Sequence, residues 1–183
     1  MRPAGQTDAS PLGSAGLDAN ALDAIALALH EIGAVRFGRF TLHSGRLSPI
    51  YLDLRLLVSY PALLRQVATV YTAILQTIEF DLLAATPLAG LPIGTAVSFQ
   101  LDCPLVYPRT ASKLYGTGRQ IEGTWSPGQR VVVVDDLITS GDSLLQGIAI
   151  LERAGLLVTD AVVLIDRQQG GRKTLREKGY TLH

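Results

Sequence analysis

Two hydrophobic rhythms divide the chain. From Asn20 the apolar positions Leu22, Ile25, Leu29 and Ile32 trace one helical face, with Asn20 placed to cap the start and Gly33 to end it. The same rhythm returns behind Ser59, where Pro61 takes a favoured first-turn position and Leu64, Val67, Tyr71 and Ile78 continue the face. Both stretches predict half-buried helices. Further on the rhythm changes to short apolar runs at 80–85, 105–107, 130–135 and 161–165, separated by stretches of helical length at 90–101 and 143–154. Runs such as Val131, Val132, Val133 and Val134 do not alternate with polar residues, as expected of strands covered on both faces in a parallel sheet. Strand and helix in alternation predict an α/β fold, a doubly wound parallel sheet.

Two segments follow neither rhythm. Residues 1–17 are rich in Gly, Ala, Ser and Pro and predict a loose tail outside the core, leaving one domain over 18–183. Residues 109–123 are polar and glycine-containing between two apolar runs, and predict a long exposed loop of the kind that is functional or disordered.

Composition narrows the partners. The 183 residues carry 16 basic and 16 acidic side chains and are 48% hydrophobic, so no global field marks the chain for nucleic acid or an anionic membrane, and a small molecule is the expected ligand. Cys103 is the only cysteine, which excludes an internal disulfide framework. No apolar run reaches bilayer-spanning length and no secretory pattern opens the chain, so the expected location is cytoplasmic.

The densest chemistry lies in VVVVDDLITSGDS, residues 131–143. A buried strand carries Asp135 and Asp136 at its carboxyl end, where ligands sit in open α/β sheets. Thr139, Ser140, Gly141, Asp142 and Ser143 then form a turn whose backbone N–H groups, with the next helix N-terminus, suit a phosphate dianion; Gly141 is expected to allow close backbone approach. Taken singly, either acid reads as the start of a surface loop and the Ser or Asp as a helix cap. In series they read as a ligand site. No Gly-Lys-Ser/Thr follows and no dinucleotide fingerprint is present.

This stretch resembles the 5-phosphoribosyl-1-diphosphate (PRPP) motif of the type I phosphoribosyltransferases. The resemblance implies that Asp135 and Asp136 face the ribose hydroxyls and that the turn, with Leu137 and Ile138 leading into it, holds the 5′-phosphate. Three further segments are similar to those of orotate phosphoribosyltransferases: FTLHSGRLSPIYLDLR at 40–55, the loop RTASKLYGTGRQIEG at 109–123, and IDRQQGG at 165–171. The TPLAGLP segment at 86–92 has Ala89 where many free-standing bacterial enzymes carry lysine, as in the amino-terminal domain of UMP synthases.

The resemblance implies a small N-terminal hood over 18–58, with Ser48, Pro49, Ile50 and Tyr51 over the orotate ring and Thr139 and Arg167 also at the orotate site. It implies that Arg109, Lys113 and Tyr115 close over the diphosphate, with His43 on the PRPP side, in a homodimer whose loops serve the partner's site. Asp135, Asp136, Lys113 and Arg109 are then the catalytic set. Mg²⁺ is the implied cofactor, held mainly by the PRPP diphosphate rather than by protein ligands. Thr110 and His43 stand where the family commonly has lysine. These departures motivate an alternative, a PRPP-binding regulatory protein with lost catalysis. A purine phosphoribosyltransferase accounts for the phosphate turn but not for residues 40–55.

Overall fold

The computed structural model describes residues 19–41, 45, 47–109 and 120–183. The chain opens with helix α1 (Ala19–Glu31), strands β1 (Val35–Thr41) and β2 (Leu47–Leu52), a 3-10 turn (Leu54–Ser59) and α2 (Pro61–Leu75). There follow β3 (Leu82–Ala85), α3 (Gly90–Leu101), β4 (Leu105–Pro108), β5 (Ile121–Glu122) and β6 (Arg130–Ile138). Helix α4 (Asp142–Arg153), β7 (Leu157–Asp166), α5 (Gly171–Glu177) and β8 (Thr181–Leu182) complete it.

Six strands form the main sheet in the order β5-β4-β3-β6-β7-β8, parallel except for β5. The valine run of β6 shows why the chain folds this way. Val131 to Val134 are each 1% exposed or less, and they alternate between two cores. Val132 and Val134 join Leu83, Val67, Tyr71, Ile93 and Val97 on the side of α2 and α3. Val131 and Val133 join Leu82, Ala84, Leu144, Ile148 and Leu175 on the side of α4 and α5. Since successive strand residues point to opposite faces, an unbroken apolar run requires helices on both. The expected doubly wound sheet is observed.

Strand β3 leads through α3 to β4 on one side, while β6 lies on its other side. The crossovers therefore part at the carboxyl ends of β3 and β6, a topological switch point where open α/β sheets take their ligands.

Element ends differ from the sequence reading in instructive ways. Helix α1 already contains Asn20, so Asn20 is not its cap. Gly33 does end it, with φ of +75° and its N–H donating to the His30 carbonyl at 2.9 Å. Helix α2 stops at Leu75, short of Ile78, and its first turn follows Tyr60. The predicted strand at 80–85 begins at Leu82. Strand β6 runs on to Ile138, so the acidic pair lies inside the pairing with β7: Asp135 is opposite Val163, and Leu137 opposite Ile165.

Residues 19–58 form α1, a two-stranded antiparallel sheet of β1 and β2, and the 3-10 turn. They attach to the α2 side of the core through Ile25, Leu29, Ala34, Leu54 and Leu57. The Asp53 N–H donates to the Ala34 carbonyl at 2.8 Å, closing the base of the hairpin. The expected tail 1–17 lies outside the described residues.

Candidate active site

The switch point is built around Asp135. Its carboxylate accepts the Asp136 N–H at 2.9 Å, and its carbonyl accepts the hydroxyl of the fully buried Tyr71 from α2 at 2.7 Å. Across the crevice, after β3, the Thr86 N–H donates to the Val134 carbonyl at 3.0 Å. Gly90 opens α3 against this group: a Cβ there would stand 2.8 Å from Thr86 Oγ1 and 3.1 Å from Asp135 Oδ1. Only glycine lets the β3–α3 turn come so close to the acid.

Burial pushes the Asp135 carboxyl up to about 7, opposed by a hydrogen bond from the Thr86 hydroxyl and reinforced by the charge of Asp136. Asp136 is half-buried and is raised as well, chiefly by burial; hydrogen bonding from its neighbours and the charge of Arg55 work the other way. Near neutral pH the pair therefore holds charge reluctantly, a condition that a cationic or hydrogen-bond-donating ligand relieves.

Thr139, Ser140 and Gly141 form the turn into α4, and Ser140, Asp142 and Ser143 are exposed. The Ser140 hydroxyl donates to the Asp142 carboxylate at 2.7 Å. Gly141 has φ of +92°, and a Cβ on it would meet Leu175 Cδ1 at 2.9 Å with Gly171 behind. Its lack of a side chain serves a left-handed turn packed against α5, in addition to the close approach to phosphate expected from sequence. The turn is bonded to the segment after β7: Arg167 N–H donates to the Ile138 carbonyl at 3.0 Å, and Gly171 N–H to the Thr139 carbonyl at 2.9 Å. A Cβ on Gly171 would fall 2.5 Å from that Thr139 oxygen.

Beside the turn lies a cleft of about 440 Å³ between the hairpin and the end of β7, lined by Ser48, Pro49, Ile50, Phe37, Asp166 and Arg167 among others. The Ser48 hydroxyl donates to the Ile50 carbonyl at 2.7 Å, and an Arg167 guanidinium nitrogen approaches that hydroxyl at 3.4 Å. Residues 119 positions apart are thereby joined across the cleft. Tyr51 is not among the lining residues. Its ring packs 5.4 Å from Phe40, with the Arg36 guanidinium 4.8 Å from its centroid.

Arg109 follows β4. Its N–H donates to the Gln120 carbonyl at 2.8 Å and its guanidinium pairs with Glu122 at 2.7 Å, while Ile121 is buried and β5 pairs with β4. The predicted loop 109–123 is therefore tied at both ends by a short ladder. His43, Thr110, Lys113 and Tyr115 lie outside the described residues.

The sequence reading passed over Tyr71, read only as a helix-face residue, and gave no site role to Thr86, Gly90 or Asp166. Thr86 and Gly90 stand in the TPLAGLP segment, whose small residues after a buried strand were the available signal. The carboxylates of Asp135 and Asp136 are of the oxygen-donor class that a hard divalent cation takes, but among the described residues no group of three or more His, Cys, Asp or Glu is assembled to hold a metal.

Known proteins resemble this chain in sequence and in fold. The phosphoribosyl transferase domain family matches residues 57–178. An orotate phosphoribosyltransferase of Pyrobaculum aerophilum is 41% identical over 156 residues, covering 85% of this chain and 81% of that protein. The chain belongs to the orotate phosphoribosyltransferase family. Within it, the bifunctional enzyme PyrF/PyrE of a Nostoc species is 42% identical over 86% of this chain and 33% of its own length. The structure of Leishmania donovani UMP synthase superposes with a TM-score of 0.81 at 43% identity, over 91% of this chain and 36% of that one. The chain thus spans about a third of the length of these two relatives.

Proposed function

We propose that the chain transfers the 5-phosphoribosyl group of PRPP to N1 of orotate, giving orotidine 5′-monophosphate and diphosphate, a step of de novo UMP synthesis. One observation carries the reading: Ile138 and Thr139, which lead from the acidic pair into the phosphate-type turn, share backbone hydrogen bonds with the segment that walls a cleft offering an arginine fork.

Residues 140–143 present N–H groups and hydroxyls to the 5′-phosphate at the start of α4, a helix of 12 residues. Asp135 and Asp136 accept hydrogen bonds from the vicinal ribose hydroxyls. As the anomeric C–O bond breaks, the diphosphate leaves with the electron pair, and orotate N1 forms the new C–N bond from the opposite face, its proton passing to solvent or to the departing diphosphate. The carboxylates stabilise positive charge that develops on the ring. Mg²⁺, when bound with the diphosphate, would lower the cost of charge on that leaving group. Arg167, with Thr139 nearby in the turn, meets the polar edge of orotate, a flat anion suited to a planar fork, and Ser48, Pro49 and Ile50 lie against its ring. Arg109, Lys113, Tyr115 and His43 serve the PRPP side, closing over the diphosphate and excluding water.

The decisive assay is loss of orotate absorbance on mixing with PRPP and Mg²⁺. Turnover is expected. PRPP binding without turnover would favour the regulatory alternative, and preference for hypoxanthine or adenine would overturn the acceptor.

The working unit in this reading is a homodimer in which each 109–123 loop serves the partner's site. Its cations Arg109 and Lys113 suit an anionic ligand such as the diphosphate. Mixing Lys113→Ala chains with Asp136→Asn chains should restore activity, since one site of each heterodimer then carries neither defect. Heterodimers that stay as inactive as the parents would refute shared loops.

A further inference from the structure

Asp166 lines the acceptor cleft, and each oxygen of its carboxylate already has a partner within the protein. One oxygen accepts the backbone N–H of Gln168 at 2.8 Å. The other accepts Arg172 Nε at 3.1 Å, and the same guanidinium donates through a second nitrogen to the Leu182 carbonyl on edge strand β8. Gln168 has φ of +53°, a left-handed conformation that a non-glycine residue holds only when its surroundings impose it. The bond from its N–H to Asp166 is the imposition. Arg167, between these two residues, is thereby held with its N–H on the Ile138 carbonyl and its guanidinium 3.4 Å from Ser48 Oγ.

Charge adds a second reason for the pair. A bare carboxylate in this wall would repel an anionic acceptor. The Arg172 guanidinium neutralises it from behind, and leaves the positive charge of Arg167 as the one that the cleft presents there.

We propose that Asp166 and Arg172 are positioning residues for the acceptor: Asp166 shapes the turn at 167–170, Arg172 anchors that carboxylate to the sheet edge, and together they aim Arg167 across the cleft. Neither touches substrate. The proposal rests on the acceptor being an anion such as orotate, bound in this cleft.

Steady-state kinetics with the full chain test it. Asp166→Ala and Arg172→Gln are each expected to raise KM for orotate by about tenfold while KM for PRPP moves by less than about twofold, because a misaimed binding group costs acceptor affinity first. Asp166→Asn keeps an acceptor for the Gln168 N–H, and Arg172→Lys keeps the charge. Each should recover part of the loss. A purely structural role would instead lower thermal stability and raise both KM values together, and that result, or an unchanged orotate KM, overturns the proposal. If the wild-type chain does not turn over orotate, the functional reading fails by itself. The pair is then judged by amide hydrogen exchange at Gln168: faster exchange in Asp166→Ala supports the imposed turn, and equal exchange refutes it.

Discussion

Strand β6 and the β1–β2 hairpin supply the two sides of the site by opposite means. Val131 to Val134 of β6 are at most 1% exposed and pack into two cores, whereas Phe37 and Leu47 of the hairpin are 67% and 66% exposed. The turn after β6 is therefore held by the most stable part of the molecule, while the acceptor wall hangs on a ribbon fastened mainly at its base by Ala34, Leu54 and Leu57. Local opening is cheapest where few apolar contacts are buried. The turn after β6 is thus the preformed side of the site, and the hairpin is the side freer to adjust.

Mutations can break this contrast. Leu83→Ala empties a site at 0% exposure beside β6 and should cost about 2–5 kcal/mol in denaturant unfolding. A smaller loss would mean that the sheet is not the rigid half. Next in size, Asp136→Asn should lower kcat about 100-fold, equivalent to about 2.7 kcal/mol of transition-state stabilisation, with little change in melting temperature. An unchanged rate would remove the pair from the mechanism.

Titration sharpens the comparison from the buried side. The Asp135 carboxyl is raised to about 7 in the folded chain, against about 4 for an unfolded aspartate, so between those values the folded state binds the extra proton. Its stabilising contribution is complete below pH about 4 and is lost as pH rises to about 7. Asp135→Asn should therefore melt higher than wild type above pH 7, the gap closing towards pH 4, in ligand-free scans of both proteins. PRPP binding by the wild type should tighten as pH rises through about 7, if the ionised pair accepts the ribose hydroxyls. The smallest effect is expected from Phe37→Ala: within about 0.5 kcal/mol in stability, since the ring is exposed, but with weaker orotate binding because that ring lines the cleft. A large stability loss there would mean that the hairpin is part of the core after all.

The two halves were unequally legible in the sequence. Four valines, two acids and a Thr-Ser-Gly-Asp-Ser turn are local signals, read within 13 consecutive residues, and the sheet confirms their order and surroundings. The hairpin carries no such pattern. With neither face fully buried, its apolar positions do not alternate cleanly, and residues 40–55 were read by family resemblance alone. That reading put Tyr51 in the cleft with Ser48 and Ile50. Tyr51 is not among the residues that line the cleft, and its ring packs with Phe40 and Arg36.

By itself the sequence determined the doubly wound sheet, the two-faced burial of β6 and the acidic strand leading into a phosphate-type turn, because hydrophobic period and turn chemistry act over neighbouring residues. Only the tertiary structure decided that Tyr71 and Gly90 press on Asp135, that Gly141 packs against Leu175, and that the Asp166 carboxylate in the cleft wall is bonded to Arg172. These depend on contacts between segments distant along the chain, and on which of two faces a side chain takes. Packing sets both, and no local pattern encodes them.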